Sequence, residues 1–128
     1  MTEFKFAKEC SEKGIEFKGC KEFKVELCLT KEIRDVNCFW IEAYENKENI
    51  NVYPNPSEEE LSKRLPDFIE EDNELYIKNI YYSVSDKEYF LDYVDINFEN
   101  GLLRRTGKTT KECYQKALLK LNDMELLK

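Results

Sequence analysis

The chain has 128 residues, of which 41% are hydrophobic and 37% charged, and its formal net charge is −7. These totals fit one folded domain with its own core rather than a disordered tail, since eight Phe, eight Tyr and one Trp supply large apolar area. The anionic balance disfavours direct binding to nucleic acid or an anionic membrane, both of which need cationic surface.

Taken in chain order, residues 3–13 place Phe6, Ala7 and Cys10 on one helical face, with Gly14 as a stop. "KEFKVELCL", 21–29, alternates with a period of two and reads as a half-buried strand facing Phe23, Val25, Leu27 and Leu29 one way. Thr30 to Asn37 is polar and reads as a turn. The aromatic "CFWIEAY", 38–44, reads as a second strand, "ENKEN" as a hairpin loop, and "INVYP" as a third strand ended by Pro54.

Ser57 and Glu60 have capping-box spacing at the start of a middle helix whose buried stripe is Leu61, Leu65, Phe68 and Ile69. Pro66 within it predicts a kink or two short helices. "ELYIKNIYYSV", 74–84, reads as a strand. Residues 88–98 read as a strand with Phe90, Val94, Ile96 and Phe98 inward and Asp92 out of place, although Ser85 and Glu88 also have the spacing of a helix cap. Asn100-Gly101 predicts a type I′ hairpin turn pairing 94–99 with 102–106. Residues 110–122 predict a last helix burying Tyr114, Ala117, Leu118 and Leu121, with Glu112, Lys116 and Lys120 outward. The expected architecture is a single α+β domain over 1–128: an antiparallel β-sheet with N-terminal, middle and C-terminal helices packed on it.

"GLLRRTGKTT", 101–110, invites comparison with a phosphate-cradling loop. Gly101 and Gly107 are separated by five residues where that loop requires four, and Thr109 with Glu112 already forms a helix cap. A weaker expectation remains. Arg104, Arg105, Lys108 and Thr109 stand at a helix N-terminus, whose dipole and free N–H groups attract phosphate, so a nucleotide or other phosphorylated signal could be held there.

The chain contains no His, which removes the usual general base. Its five Cys include no CxxC pair, so neither a zinc site nor a disulfide framework is expected. Free thiols in a reducing cytoplasm are the expected state, with Cys113 packed in the core. No apolar leader or membrane-length run is visible, and no cofactor, metal or enzymatic activity is expected.

Charge is polarised along the chain. Residues 57–74 carry eight acids (Glu58, Glu59, Glu60, Asp67, Glu70, Glu71, Asp72 and Glu74) against Lys63 and Arg64, a net of −6. Residues 104–121 carry six bases against Glu112, a net of +5. An anionic surface of this kind steers encounter with a basic groove and mimics a phosphate backbone. Glu58, Glu59, Glu60, Glu70, Glu71, Asp72 and Glu74 are therefore the candidate partner-binding residues. Tyrosines among Tyr76, Tyr81, Tyr82, Tyr89 and Tyr93 that stay outside the core are candidate anchors.

In size, charge and lack of catalytic groups the whole chain resembles small acidic inhibitor proteins: phage anti-defence proteins such as anti-CRISPRs, and toxin-immunity proteins. That resemblance implies a non-enzymatic inhibitor occupying a basic partner, such as a nuclease or toxin. A structural subunit or homodimer is the third expectation.

Overall fold

A computed structural model describes residues 2–127. The described residues form an α+β structure with three α-helices, one three-stranded and one four-stranded antiparallel sheet. Internal contacts divide the chain between Glu60 and Leu61 into two compact units.

In the first unit, Thr2 caps helix α1 (Glu3–Glu12) by accepting the Lys5 N–H at 3.2 Å. Phe6, Ala7 and Cys10 are its buried face, and Gly14 leaves the helix at a φ of +72°, which glycine adopts without Cβ strain. Strand β1 (Glu22–Leu27) is central, paired antiparallel with β2 (Glu32–Asn37) on one side and β3 (Ile50–Pro54) on the other. Val25, Val36 and Ile41 are the buried centre, with Phe23, Leu27 and Val52 packed around them.

Two expectations fail in this unit for related reasons. Residues 32–37, expected as turn, form β2. It is an edge strand with only Val36 buried, so it needs no apolar alternation, and a Lys24–Asp35 ion pair ties it to β1. Residues 38–44, expected as strand, are turns and a 3-10 segment (Ile41–Ala43). The Asn37 side chain accepts the Phe39 N–H at 2.9 Å, and its carbonyl accepts the Trp40 N–H at 2.9 Å. This Asx turn ends the strand before its most aromatic residues.

Helix α2 (Glu58–Arg64) begins with the expected cap: the Glu60 N–H donates to Ser57 Oγ at 3.2 Å. It stops ahead of Pro66. Phe68 and Ile69, expected on its buried stripe, instead open strand β4 (Phe68–Glu71). Proline lacks an N–H and disfavours helical geometry in the residue before it, so the second short helix gives way to a strand.

In the second unit β4, β5 (Glu74–Ser83), β6 (Glu88–Asp95) and β7 (Gly101–Gly107) lie side by side in chain order. Asp72 and Asn73, with φ of +50° and +66°, join β4 to β5 in a two-residue turn, a geometry both residues tolerate. The expected Asn100-Gly101 turn does not form. Gly101 begins β7, and Phe98 takes the positive φ in a longer loop organised by Asp95. The Asp95 carboxylate accepts the Glu99 N–H at 2.8 Å and the Asn100 side-chain N–H at 3.1 Å.

Helix α3 (Thr110–Asp123) packs on β6 and β7. It buries Cys113, Ala117, Leu118, Leu119 and Leu121, while the expected Tyr114 is only half-buried. Gly107 lets it approach closely: a Cβ there would lie 2.9 Å from the Glu112 side chain. Glu112 and Lys116 pair at 3.1 Å on the outer side, as the sequence predicts.

Residues 88–98 form a strand up to Asp95, but its inward set is not the expected one. Leu91 and Tyr93 are wholly buried, and they share a face with Leu103 and Gly107 beneath α3. Phe90, Asp92 and Val94 point to the opposite face, and Ile96 and Phe98 are exposed in the following loop.

Candidate interaction surface

Strict alternation gives the four-stranded sheet a second face, away from α3. Cross-strand pairing sets Phe68 beside Ile77 and Val94, Glu70 beside Leu75, and Tyr81 beside Phe90 on that face. Phe68 is 64% exposed, and Leu75, Ile77 and Tyr81 are also classed as exposed. An apolar strip crossing several strands of a folded unit marks a contact surface more often than chance exposure.

A polar cluster sits within this strip. Asp92 is only 3% exposed, yet it lies on the open face because Arg104 and Tyr81 cover it. Arg104 donates from Nε to Oδ1 at 2.8 Å and from Nη2 to Oδ2 at 3.2 Å, a fork-to-fork pair. Its guanidinium also lies 5.2 Å from the Phe90 ring centre. The Tyr81 hydroxyl approaches Asp92 Oδ2 at 3.4 Å, and burial followed by the Asp92 charge raises the tyrosine pKa.

The turn end of the β4–β5 hairpin is anionic. It gathers Glu70, Glu71, Asp72 and Glu74, with Glu71 directly opposite Glu74 in the ladder. Like charges across a pair are unfavourable by tenths of a kcal/mol, on the order of 0.2–1. Among the described residues no cation pairs with these four carboxylates. The other candidate acids belong to the first unit. Glu58, Glu59 and Glu60 occupy the first turn of α2, where the helix dipole favours acids. Glu60 is turned back onto the Ser57 hydroxyl at 3.1 Å. Asp67 pairs with Lys78 at 3.4 Å.

The candidate phosphate ligands are each engaged within the chain. Arg104 holds Asp92. Arg105 Nη1 donates to the Arg104 carbonyl at 2.7 Å, and Lys108 Nζ pairs with Glu88 at 3.3 Å. Thr109 Oγ1 accepts the Glu112 N–H at 3.1 Å, while the Glu112 carboxylate accepts the Lys108 N–H at 3.1 Å. Lys116, then the Lys108 N–H, holds the Glu112 pKa below the usual carboxylate range. A carboxylate thus already occupies the N-terminus of α3.

No family model, curated protein or solved structure matches the chain. The functional reading therefore rests on this geometry.

All five cysteines are free. Among the described residues no three metal-ligating side chains come together, and no helix is long and apolar enough to cross a membrane. Burial pushes the Cys10 thiol up to about 12 and Cys20 up to about 11, and also raises Cys113. Cys113 donates to the Tyr89 carbonyl at 3.3 Å. Cys28 is exposed and Cys38 half-buried. Iodoacetamide at about pH 8 should therefore alkylate Cys28 and Cys38 in the native protein and spare the other three. Peptide mass mapping checks this, and rapid labelling of Cys10 would contradict its burial.

The first unit has its own exposed aromatic feature. Phe39 is 86% and Trp40 72% exposed at the turn after β2. Sequence reasoning assigned both to a strand. The signal that could have corrected it was Asn37, a residue that favours turns through its side chain.

Proposed function

We propose that this protein is a non-enzymatic binding module that inhibits a basic protein, one that handles nucleic acid, by covering its cationic surface. One observation carries the reading: the open face of the four-stranded sheet combines exposed apolar residues with Glu70 and ends at an anionic hairpin tip, whose carboxylates pair with no cation among the described residues. Phe68, Leu75, Ile77 and Tyr81 supply an apolar centre; in the charged rim, Glu70 shares their face, Asp72 stands at the turn, and Glu71 and Glu74 flank it on the other face of the hairpin tip. That is the anatomy of a protein interface: the centre gives affinity, while the rim speeds encounter and selects the sign of the partner. The acids of α2 contribute less, since their position already satisfies the helix that bears them. Five free thiols suit a reducing compartment, which supports the cytoplasmic reading. A nuclease or toxin with a phosphate-binding groove has the complementary chemistry.

The test uses three baits: the parent protein, a Glu70→Lys/Glu71→Lys/Asp72→Lys/Glu74→Lys variant, and a Phe68→Ser/Ile77→Thr/Tyr81→Ser variant, each checked for its fold by circular dichroism. The parent should retain a basic protein from a bacterial lysate, less strongly at roughly 0.5 M salt. With that protein purified, the charge-reversed variant should bind at least about a hundredfold more weakly and the apolar-face variant at least about tenfold. Equal affinity for all three would remove this surface from consideration.

Holding a phosphorylated ligand would require Arg104 and Lys108 to leave Asp92 and Glu88, so the small-ligand alternative has less structural support.

A further inference from the structure

The four-stranded sheet has two edges, and they are finished differently. At the β7 edge, the Arg104 carbonyl accepts from Arg105 Nη1 and the Thr106 carbonyl from Lys116 Nζ, both at 2.7 Å. Long cationic side chains thus close that edge against further pairing, a recognised defence against strand addition. At the β4 edge, among the described residues, no side chain closes the main-chain groups in this way.

The phase of the ladder shows which groups are open. The Lys78 N–H donates to the Asp67 carbonyl at 2.9 Å, so Asp67 turns its main chain toward β5. Alternation gives Ile69 and Glu71 the same orientation and sends the N–H and C=O of Phe68 and Glu70 outward. Among the described residues no hydrogen bond reaches these outward groups. Beside them lies a recess of about 270 Å³, whose apolar lining is Leu65, Pro66, Phe68, Ile69 and Leu126 and whose charged lining is Glu70 with Lys63 and Arg64. Three consecutive residues of β4 line it, and successive residues point to opposite faces, so the recess runs along the strand's edge rather than on one face.

We propose that the β4 edge accepts an extended, basic and apolar segment of the partner as a fifth strand. Its main chain pairs with Phe68 and Glu70, one apolar side chain enters the recess, and a lysine or arginine meets the carboxylates of the hairpin. This deepens the reading above and rests on it. Charge selects the occupant. Antiparallel pairing with a second copy would set Glu70 opposite its own equivalent or, in the register centred on Ile69, Glu71 opposite Asp67, whereas a basic strand removes that repulsion. Main-chain bonds supply affinity in this mode, and the recess supplies selectivity.

A fluorescein-labelled peptide of alternating lysine and valine is the probe, followed by anisotropy and by amide chemical shifts of the intact protein. Binding is expected in the micromolar to about 1 mM range, with the largest shifts at Phe68 and Glu70. The alternating glutamate–valine peptide should not bind. N-methylation of alternate backbone nitrogens in the lysine peptide should weaken it at least about tenfold, without altering the protein at all. Glu70→Pro should weaken it about tenfold and Glu70→Gln only about threefold, since glutamine retains the N–H that proline lacks.

Unchanged affinity of the N-methylated peptide would overturn strand addition, and the three-bait comparison would still stand or fall separately. No binding of the lysine peptide by about 1 mM would overturn it as well. So would a β4-dependent dimer in sedimentation, which would assign the edge to a second copy.

Discussion

Tyr93→Ala should lower the unfolding free energy by about 4 kcal/mol, the upper part of the range for a large side chain removed from a packed core. Tyr93 is wholly buried in the middle of β6, on the face covered by α3. Its hydroxyl donates to the Pro66 carbonyl at 2.6 Å, and burial, with a smaller effect of the Asp67 charge, raises the phenol pKa. Two losses therefore combine: a void within the sheet–helix core and an unsatisfied carbonyl. Tyr93→Phe separates them, since it keeps the ring and should cost about 1–2 kcal/mol. Because Pro66 leads into β4, the phenylalanine variant should also speed amide exchange at Ile69 and Glu71, whose N–H groups face β5, more than at β6. Urea unfolding and hydrogen exchange make the two measurements. A loss below about 1 kcal/mol for the alanine variant would mean that the core collapses around the gap or that the ring is not packed there.

Arg104→Ala should cost about 2–3 kcal/mol, although the arginine side chain is 59% exposed. The cost arises at its partner. Asp92 is almost fully covered, and removing the guanidinium leaves a carboxylate with only a long Tyr81 contact. The figure is set at the low end for a buried pair because water reaches one side of it. Replacing both Asp92 and Arg104 with leucine should recover most of the loss, since the charge and its partner leave together. A double-mutant cycle in urea measures this. If Arg104→Ala costs less than about 0.5 kcal/mol, the pair is an ordinary surface contact and the polar centre of the open face has no structural role.

Local signals carried far in this chain. The period of β1 as far as Leu27, the Thr109 cap of α3, and the Phe6, Ala7 and Cys10 face of α1 appear where the sequence places them, whereas Leu29, expected on the apolar face of β1, lies beyond the strand's end and is 81% exposed. In these segments one face is apolar and the other polar, so only one arrangement buries the right side. The seven candidate acids could be listed from the sequence, but their grouping could not. Glu70, Glu71, Asp72 and Glu74 meet because Asp72-Asn73 forms a tight turn, in a segment whose apolar spacing had suggested helix.

The sequence by itself determined an anionic α+β chain without histidine, its three helices, most of its strands and its lack of a catalytic motif. Only the tertiary structure decided which side of β6 faces α3. Tyr89, Leu91 and Tyr93 alternate with Phe90, Asp92 and Val94, so both faces carry large side chains and the pattern alone is degenerate. Close packing resolves it: Gly107 admits α3 on the Leu91–Tyr93 side, and Asp92 is covered on the other by Arg104 reaching across from β7 and Tyr81 from β5. That choice leaves Phe68, Ile77 and Tyr81 exposed beside the acidic hairpin, and so creates the surface on which the proposed function rests.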